Sequence, residues 1–341
     1  MRRVTLQRIA LYTGLAISLV AMVMLFSRIS WSSLAAALAR ISPVMVLYAV
    51  ILTLVSYVLR ALRWRYLLPQ GSAIPFSVLM RATILGYMGN TLLPARLGEL
   101  VRTWSLARSE HRPISSVLAS LVTDRLWDGL SVVCILIGLL VRVTLPPAYQ
   151  HLQPLLIKTG VIMSCGYVGL ITVLWWVRRS PEVAAAWVFR LVRPISEEGA
   201  AALSRMTVQF SQSIRFSRGD EGGILPIILT SFLIWLTATV PIHLVILGSG
   251  YQLPFSASVL ILVLLVCAVM VPAAPGAIGT FHIACAVGLS VYGIEPSAAV
   301  SLSLVLHACG CIPVTIIGLF LLWHQGMSLK ELYHEVEDVQ P

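Results

Sequence analysis

Seven polar residues interrupt otherwise apolar sequence in two groups: Asn90, Arg96, Glu99 and Arg102, then Asp124, Arg125 and Asp128. Asp124 and Asp128 stand four apart, on one face of a helix, where two carboxylates repel unless a cation or a shared proton joins them. Arg125, or an arginine of the first group, is placed to be that cation. On a helix beginning near Pro94, Arg96, Glu99 and Arg102 recur every third residue, so opposite charges alternate on adjacent turns. A guanidinium stays charged and offers a planar fork of donors that matches phosphate bidentately. The chemistry open to this set is capture of a phosphate by Arg96 and Arg125, with Glu99, Asp124 and Asp128 competing for the same cations. The alternative is that the charges neutralise one another and lock a bundle. His282 and His307 are the corresponding titratable groups further along. Each is either a buried, hydrogen-bonded histidine or a site residue that titrates near neutral pH.

These groups lie beside two breaks of similar design. Pro75-Phe76-Ser77 opens an apolar run that reaches Leu93-Pro94-Ala95-Arg96-Leu97-Gly98, followed by Pro113. Pro254-Phe255-Ser256 opens another that reaches Ala274-Pro275-Gly276-Ala277-Ile278-Gly279-Thr280, followed by Pro296. Each copy carries Pro-x-x-x-Gly, and Ser120-Leu121-Val122 finds its echo in Ser303-Leu304-Val305. Chance likeness among Leu/Val/Ser-rich helices is the alternative to a repeat. Paired broken apolar segments in corresponding halves point to a transport site at the bilayer midplane. Helix N-termini at Pro94 and Pro275 would add partial positive charge there.

The chain of 341 residues is 58% hydrophobic and 11% charged, with a mean hydropathy of +0.90. Soluble domains carry about a quarter charged residues. Several apolar runs exceed the roughly 18–20 residues that cross a bilayer, and they are continuous rather than alternating, which excludes a barrel. The fold class is an all-α polytopic membrane protein. The formal net charge is +10, carried mostly by arginines at the ends of apolar runs. That placement sets topology and meets anionic lipid headgroups; it does not suit nucleic acid. Cys134, Cys165, Cys267, Cys285, Cys309 and Cys311 all lie in apolar sequence without a Cys-x-x-Cys pair. No metal or cofactor is expected. With no His-x-x-x-His, Walker loop or Gly-x-Ser-x-Gly, the chain reads as a non-enzyme.

Arginine placement gives a topology with both termini cytoplasmic. Ile9–Phe26 is an uncleaved first span, and Trp31–Arg40 lies at the outer interface. Pro43–Leu62 returns inward, anchored by Arg60, Arg63, Trp64, Arg65 and Tyr66. Pro75–Leu93 either crosses or, as the arginines after it favour, turns back at Pro94–Gly98. Pro113–Val141 and Leu155–Val177 cross. Ser180–Gly223 holds a cytoplasmic in-plane helix with Val183, Trp187 and Leu191 on one stripe. Ile224–Leu247 crosses outward, Phe255–Val271 breaks at Pro272–Gly279, Thr280–Tyr292 returns to the outer face, and Ser297–Trp323 crosses inward. The result is about six transmembrane helices plus two re-entrant broken segments, opening to opposite sides, in an inverted repeat; eight or more spans follow if both segments cross. Repeat unit one covers 43–141, the amphipathic linker 178–223, repeat unit two 224–323 and a polar tail 324–341, all within a single membrane domain.

The run Asn90-Thr91-Leu92-Leu93-Pro94-Ala95-Arg96-Leu97-Gly98-Glu99, then Arg102 and Asp124-Arg125-Leu126-Trp127-Asp128, resembles the membrane domain of lysylphosphatidylglycerol synthases, which also occurs alone in a flippase-like family. Ala274–Phe281 is similar to that family's second motif. The resemblance implies a lipid translocator of the bacterial inner membrane. The candidate partners are a phospholipid or polyprenyl-linked lipid, a neighbouring glycosyltransferase or lipid-synthesis enzyme, and a second copy of the chain. A non-transporting membrane scaffold is the rival reading. The chain departs from the family's Pro-Gly-Gly-x-Gly at Ala277, which stands for the second glycine, at His282 where an acid is common, and at His307 where arginine is common.

Overall fold

The computed structural model describes residues 19–20, 23, 31–142, 150, 153–213, 224–270 and 274–337. Most of the expected first span and the extreme C-terminus lie outside the described residues. So do 271–273 of the second break.

Among the described residues the secondary structure is helical throughout, with no strand. The helices are α1 (Trp31–Ala39), α2 (Pro43–Leu67), α3 (Phe76–Leu92), α4 (Gly98–Ser109), α5 (Ile114–Arg142), α6 (Gln153–Arg179), α7 (Pro181–Val192), α8 (Glu197–Ser213), α9 (Leu225–Gly248), α10 (Phe255–Met270), α11 (Thr280–Ser290), α12 (Pro296–His324) and α13 (Leu329–Glu337). Proline stands at the start of α2, α7, α9 and α12, where its missing N–H costs nothing. Four helices are long and apolar enough to cross a membrane: α2, α6, α9 and α12. At 1.5 Å per residue the 24 residues of α9, the shortest, reach about 36 Å, beyond a hydrocarbon core of about 30 Å. The 29 residues of α5 are equally long but carry the Asp124–Asp128 group.

Three elements depart from the expected layout. The α-helices after the breaks begin at Gly98 and Thr280, four and five residues beyond Pro94 and Pro275, and each proline opens only a single 3-10 turn. Aligned peptide dipoles at the prolines are therefore weak. The linker is two helices, α7 and α8, packed together; the stripe of Val183, Trp187 and Leu191 is exposed, and α8 rests on α5, where Ser115 Oγ donates to Gln209 Oε1 at 3.2 Å. The tail folds into α13 behind a reciprocal cap between Ser328 and Glu331. Its Leu332 and Val336 are fully buried against Leu85, Met88, Val101 and Trp104 of the α3–α4 hairpin.

Packing joins the first part of the chain to the second. α2 lies along α9, α3 packs on α12, α10 packs on α5, and the two breaks touch each other. The α3–α4 hairpin closes through glycine: a β-carbon on Gly98 would stand 2.0 Å from the Gly86 carbonyl oxygen and 2.4 Å from the Asn90 nitrogen. Gly288 gives α11 a similar close approach to Ile261 of α10, where a β-carbon would stand 2.9 Å from that side chain.

Candidate functional site

Asp124 and Asp128 do share one face of α5, and a cation does join them. That cation is chiefly Arg63, near the end of α2. Its Nε donates to Asp124 Oδ1 at 2.8 Å, its Nη2 to Asp128 Oδ1 at 2.7 Å and its Nη1 to Ser231 Oγ of α9 at 3.1 Å. Arg63 is fully buried, and so is Asp124. The expectation that Arg63 anchors α2 in interfacial headgroups is therefore corrected: α2 runs five residues past Leu62, which carries Arg63 into the protein. Arg102 supports Asp124 through Nη1 at 3.3 Å and lies 4.0 Å over the Trp64 ring. The ring face attracts the cation, and Trp64 is itself fixed by Nε1 donating to Ser120 Oγ. Arg60 and Arg125 both reach Asp128 Oδ2, at 3.4 and 2.8 Å, and Arg125 also meets Glu99 Oε1 at 3.3 Å.

The expected alternation of Arg96, Glu99 and Arg102 along one helix is not formed. Arg96 precedes α4, Glu99 pairs with Arg125 and accepts from Asn90 Nδ2 at 3.4 Å, and Arg102 pairs with Asp124. Four guanidiniums thus meet three carboxylates, a formal surplus of one positive charge. Arg96 adds another nearby. It makes no ion pair among the described residues, and its Nη1 donates to the Val269 carbonyl at the end of α10, 3.3 Å away.

The two breaks share more than spacing. Arg96 and Ala277 each stand two residues after their proline, and each takes a left-handed backbone, φ 56° and 55°. A side chain in that region costs about 1–2 kcal/mol, and such strain collects at working sites. Between the breaks lies a cavity of ≈ 330 Å³, lined by Asn90 and Arg96 from the first and Pro275, Gly276 and His307 from the second unit, with Tyr57 and Tyr87 closing it. The Tyr87 hydroxyl and Asn90 Oδ1 are buried without a hydrogen-bond partner among the described residues. Tyr57 donates to the Gly310 carbonyl at 3.0 Å, and Arg60 lies 5.5 Å from the centre of the Tyr87 ring, which connects the cavity wall to the ion-pair network.

His307 Nε2 sits 2.8 Å from the Gly276 carbonyl, and His282 Nδ1 sits 3.2 Å from Ser303 Oγ on α12. Thr280 Oγ1 donates to the Ala277 carbonyl at 3.2 Å and steadies the turn in which Gly276 and Gly279 take φ of 69° and 95°. Of the sequence-derived candidates, Asn90, Arg96, His307, Pro275 and Gly276 line the cavity. His282 lies directly behind His307, their ring centres 4.8 Å apart. Glu99, Arg102, Asp124, Arg125 and Asp128 form the network beside the cavity, and Pro94, Gly98, Gly279 and Thr280 shape the breaks. Arg96 and Arg125, expected to share one cavity, belong to separate parts. No metal-binding group of three or more His, Cys, Asp or Glu is found among the described residues. Tyr57 and Tyr87 escaped the sequence reading, and Arg60 and Arg63 were read there as anchors of α2, not as members of the site. Three-residue spacing of Arg60 and Arg63 at the end of an apolar run was the available signal.

Residues 11–318 match the model of the lysylphosphatidylglycerol synthase TM region. A Haloferax volcanii protein named glycosyltransferase AglD is 24% identical over 344 residues, covering 92% of this chain and 54% of its own length. The chain thus spans about half of that relative. A UPF0104 membrane protein of Methanothermobacter thermautotrophicus is 22% identical over 307 residues, covering 86% of this chain and 89% of its own. No solved structure matches. Matched over most of its length, with the Pro94 and Pro275 breaks and the Asp124–Asp128 group inside the match, the chain belongs to the lysylphosphatidylglycerol synthase transmembrane-region family.

Proposed function

We propose that this protein is a flippase or scramblase, moving the headgroup of an anionic or isoprenoid-linked lipid across a bacterial inner membrane without altering it. The observation that carries the reading is the cavity between the two breaks, with Arg96 on its wall beside a network richer in guanidiniums than in carboxylates. Charge at membrane depth is costly and marks pathways. Arg96, with Asn90 and His307, receives the phosphate; Arg125, about two-fifths exposed, is the second cation, released when the ligand competes with Glu99 and Asp128.

Reciprocal packing of α2 with α9, α3 with α12 and α10 with α5 supports an inverted repeat, in which access alternates around breaks that meet in the middle. The 17 residues of α3 reach about 25 Å, short of a hydrocarbon core of about 30 Å, which supports a re-entrant hairpin. Proteoliposomes holding fluorescent anionic phospholipids with a phosphodiester headgroup should show transbilayer movement above empty vesicles, and Arg96→Lys should impair it. Vesicles that show no movement of any such lipid would remove the proposal.

A second reading has its own support. The matching region forms about half of a relative named as a glycosyltransferase, which suits a membrane scaffold for a lipid- or glycan-modifying enzyme. A scaffold would raise a partner enzyme's activity while moving no lipid.

A further inference from the structure

Behind the phosphate contact His307 lies a second titratable ring, His282, that phosphate capture does not require. His282 is buried and His307 lines the cavity, and their rings meet edge to face. Their neighbours fix where the protons sit. Ser303 Oγ donates its hydrogen to the Val300 carbonyl at 2.7 Å, so at 3.2 Å it accepts, and His282 Nδ1 is the donor. A carbonyl only accepts, so His307 Nε2 donates to Gly276, with Cys311 Sγ 3.4 Å from the same nitrogen. Each neutral ring has thereby placed its one N–H. His282 Nε2 and His307 Nδ1 carry the lone pairs, and either can take one more proton.

The surroundings set when that happens. Helices α9 to α12 contain no Asp, Glu, Lys or Arg. The cavity brings Arg96 from the first break, Tyr57 from α2, Tyr87 from α3 and Cys311 from α12 toward the pair, with Glu99 behind Asn90. α9 and α10 bring only His243, held at 3.2 Å by Ser258, and Cys267. Arg40 of the α1–α2 turn and Glu295 line a separate cavity of ≈ 370 Å³ at the start of α12, and Glu295 lies twelve residues, about 18 Å of helix, from His307. Glu99, behind Asn90, is already paired with Arg125 at 3.3 Å, so an added proton meets a cation and no unpaired anion while the cavity is empty. A phosphate bound between Arg96 and His307 supplies that anion. Two protons on rings 4.8 Å apart would repel, so the pair holds one at a time.

We propose that His282 and His307 form a one-proton site coupled to the anion in the cavity, so that this protein binds and carries its lipid together with a proton. The proposal rests on the translocation reading above and adds a proton to it. Coupling is reciprocal: if anion binding draws in the proton, lower pH must tighten anion binding.

The test is calorimetric titration of the purified full chain with dioctanoyl phosphatidylglycerol in detergent. Its phosphodiester stays singly charged throughout the range, and buffers of different ionisation heat report protons taken up. The wild type should take up close to one proton per lipid over part of the range pH 5–8, with affinity rising by up to about tenfold per pH unit on acidification, the limit for one linked proton. His307→Gln keeps a donor for Gly276 and His282→Asn keeps one for Ser303. The doubly substituted chain has lost His307 as a phosphate contact, so it should bind more weakly, and the binding that remains should come with uptake near zero and an affinity flat in pH. Binding by the wild type without proton uptake anywhere in the range overturns the proton site alone, and needs no variant. Uptake unchanged in a folded double variant overturns it equally. Absence of any binding overturns the translocation reading and the proton site together.

Discussion

The two breaks are alike in backbone and opposite in chemistry. Each opens on a proline, takes a left-handed φ near 55° two residues later, and ends at a glycine. The first carries a cation at the strained position, Arg96, and leads into Glu99 and Arg102. The second carries Ala277 there and leads into His282. Around the first, Arg63, Arg102, Asp124 and Asp128 sit at or below 8% exposure. Around the second, the buried polar groups are neutral and are satisfied by a serine and a carbonyl. A shared backbone device thus serves two tasks: permanent charge on one wall, adjustable charge on the other.

The largest difference between the two should appear in stability. Asp124→Asn leaves Arg63 and Arg102 buried with their main counter-ion gone, and breaking such a pair costs about 3–5 kcal/mol. His282→Asn exchanges one neutral hydrogen bond for another and should cost about 1 kcal/mol. Thermal unfolding in detergent compares them. Equal losses would mean that the Asp124 network holds the fold no more tightly than the histidine pair does.

Glycine substitutions come next. Gly98→Ala drives a methyl into the Gly86 carbonyl and the Asn90 nitrogen and must pry α3 from α4, for a loss at or above the roughly 1–3 kcal/mol of an overpacked core. Gly276→Ala meets its nearest atom, the Thr91 carbonyl oxygen, only at 3.4 Å, so its loss should be the left-handed strain alone, about 1–2 kcal/mol. A milder Gly98→Ala would show that the hairpin is looser than its packing.

Much of this contrast is legible in sequence. Proline and glycine act on their own backbone, so the break positions needed no tertiary knowledge. The carboxylate pair at Asp124 and Asp128 announced a missing cation because four-residue spacing is local geometry. The identity of that cation was not legible. Arg63 stands beside Trp64, Arg65 and Tyr66, a composition equally suited to an interfacial belt, and only the packing of α2 on α9 turns it inward. Tyr57 and Tyr87 were hidden for the same reason. The α13 helix was more accessible: Ser328 followed by Glu331, then Leu332 and Val336, is a capping box ahead of an apolar stripe.

Smaller effects separate strain from function. Arg96→Gly and Ala277→Gly both relieve a left-handed side chain, and each should raise stability by about 0.5–1 kcal/mol. Only the first removes a cation from the cavity wall. Lipid movement in proteoliposomes should fall for Arg96→Gly and stay near wild type for Ala277→Gly. A parallel fall in both would mean that the strained backbone, not the charge, is what transport uses.

The smallest effect is expected where the first hairpin has a brace that, among the described residues, the second lacks. α13 docks on α4 through fully buried Leu332 and Val336, while Arg108 Nη1 meets Glu335 Oε2 at 3.2 Å with both side chains about half exposed. Exposed pairs contribute about 0–1 kcal/mol, because water screens the attraction and two long side chains lose freedom in making it. Arg108 also lies 5.2 Å from the centre of the Trp104 ring, a contact that lasts without Glu335. Glu335→Gln should therefore shift unfolding by less than about 0.5 kcal/mol, and raising the salt concentration should erase even that difference. A larger, salt-insensitive loss would place the hold of α13 in the ion pair and not in its apolar stripe.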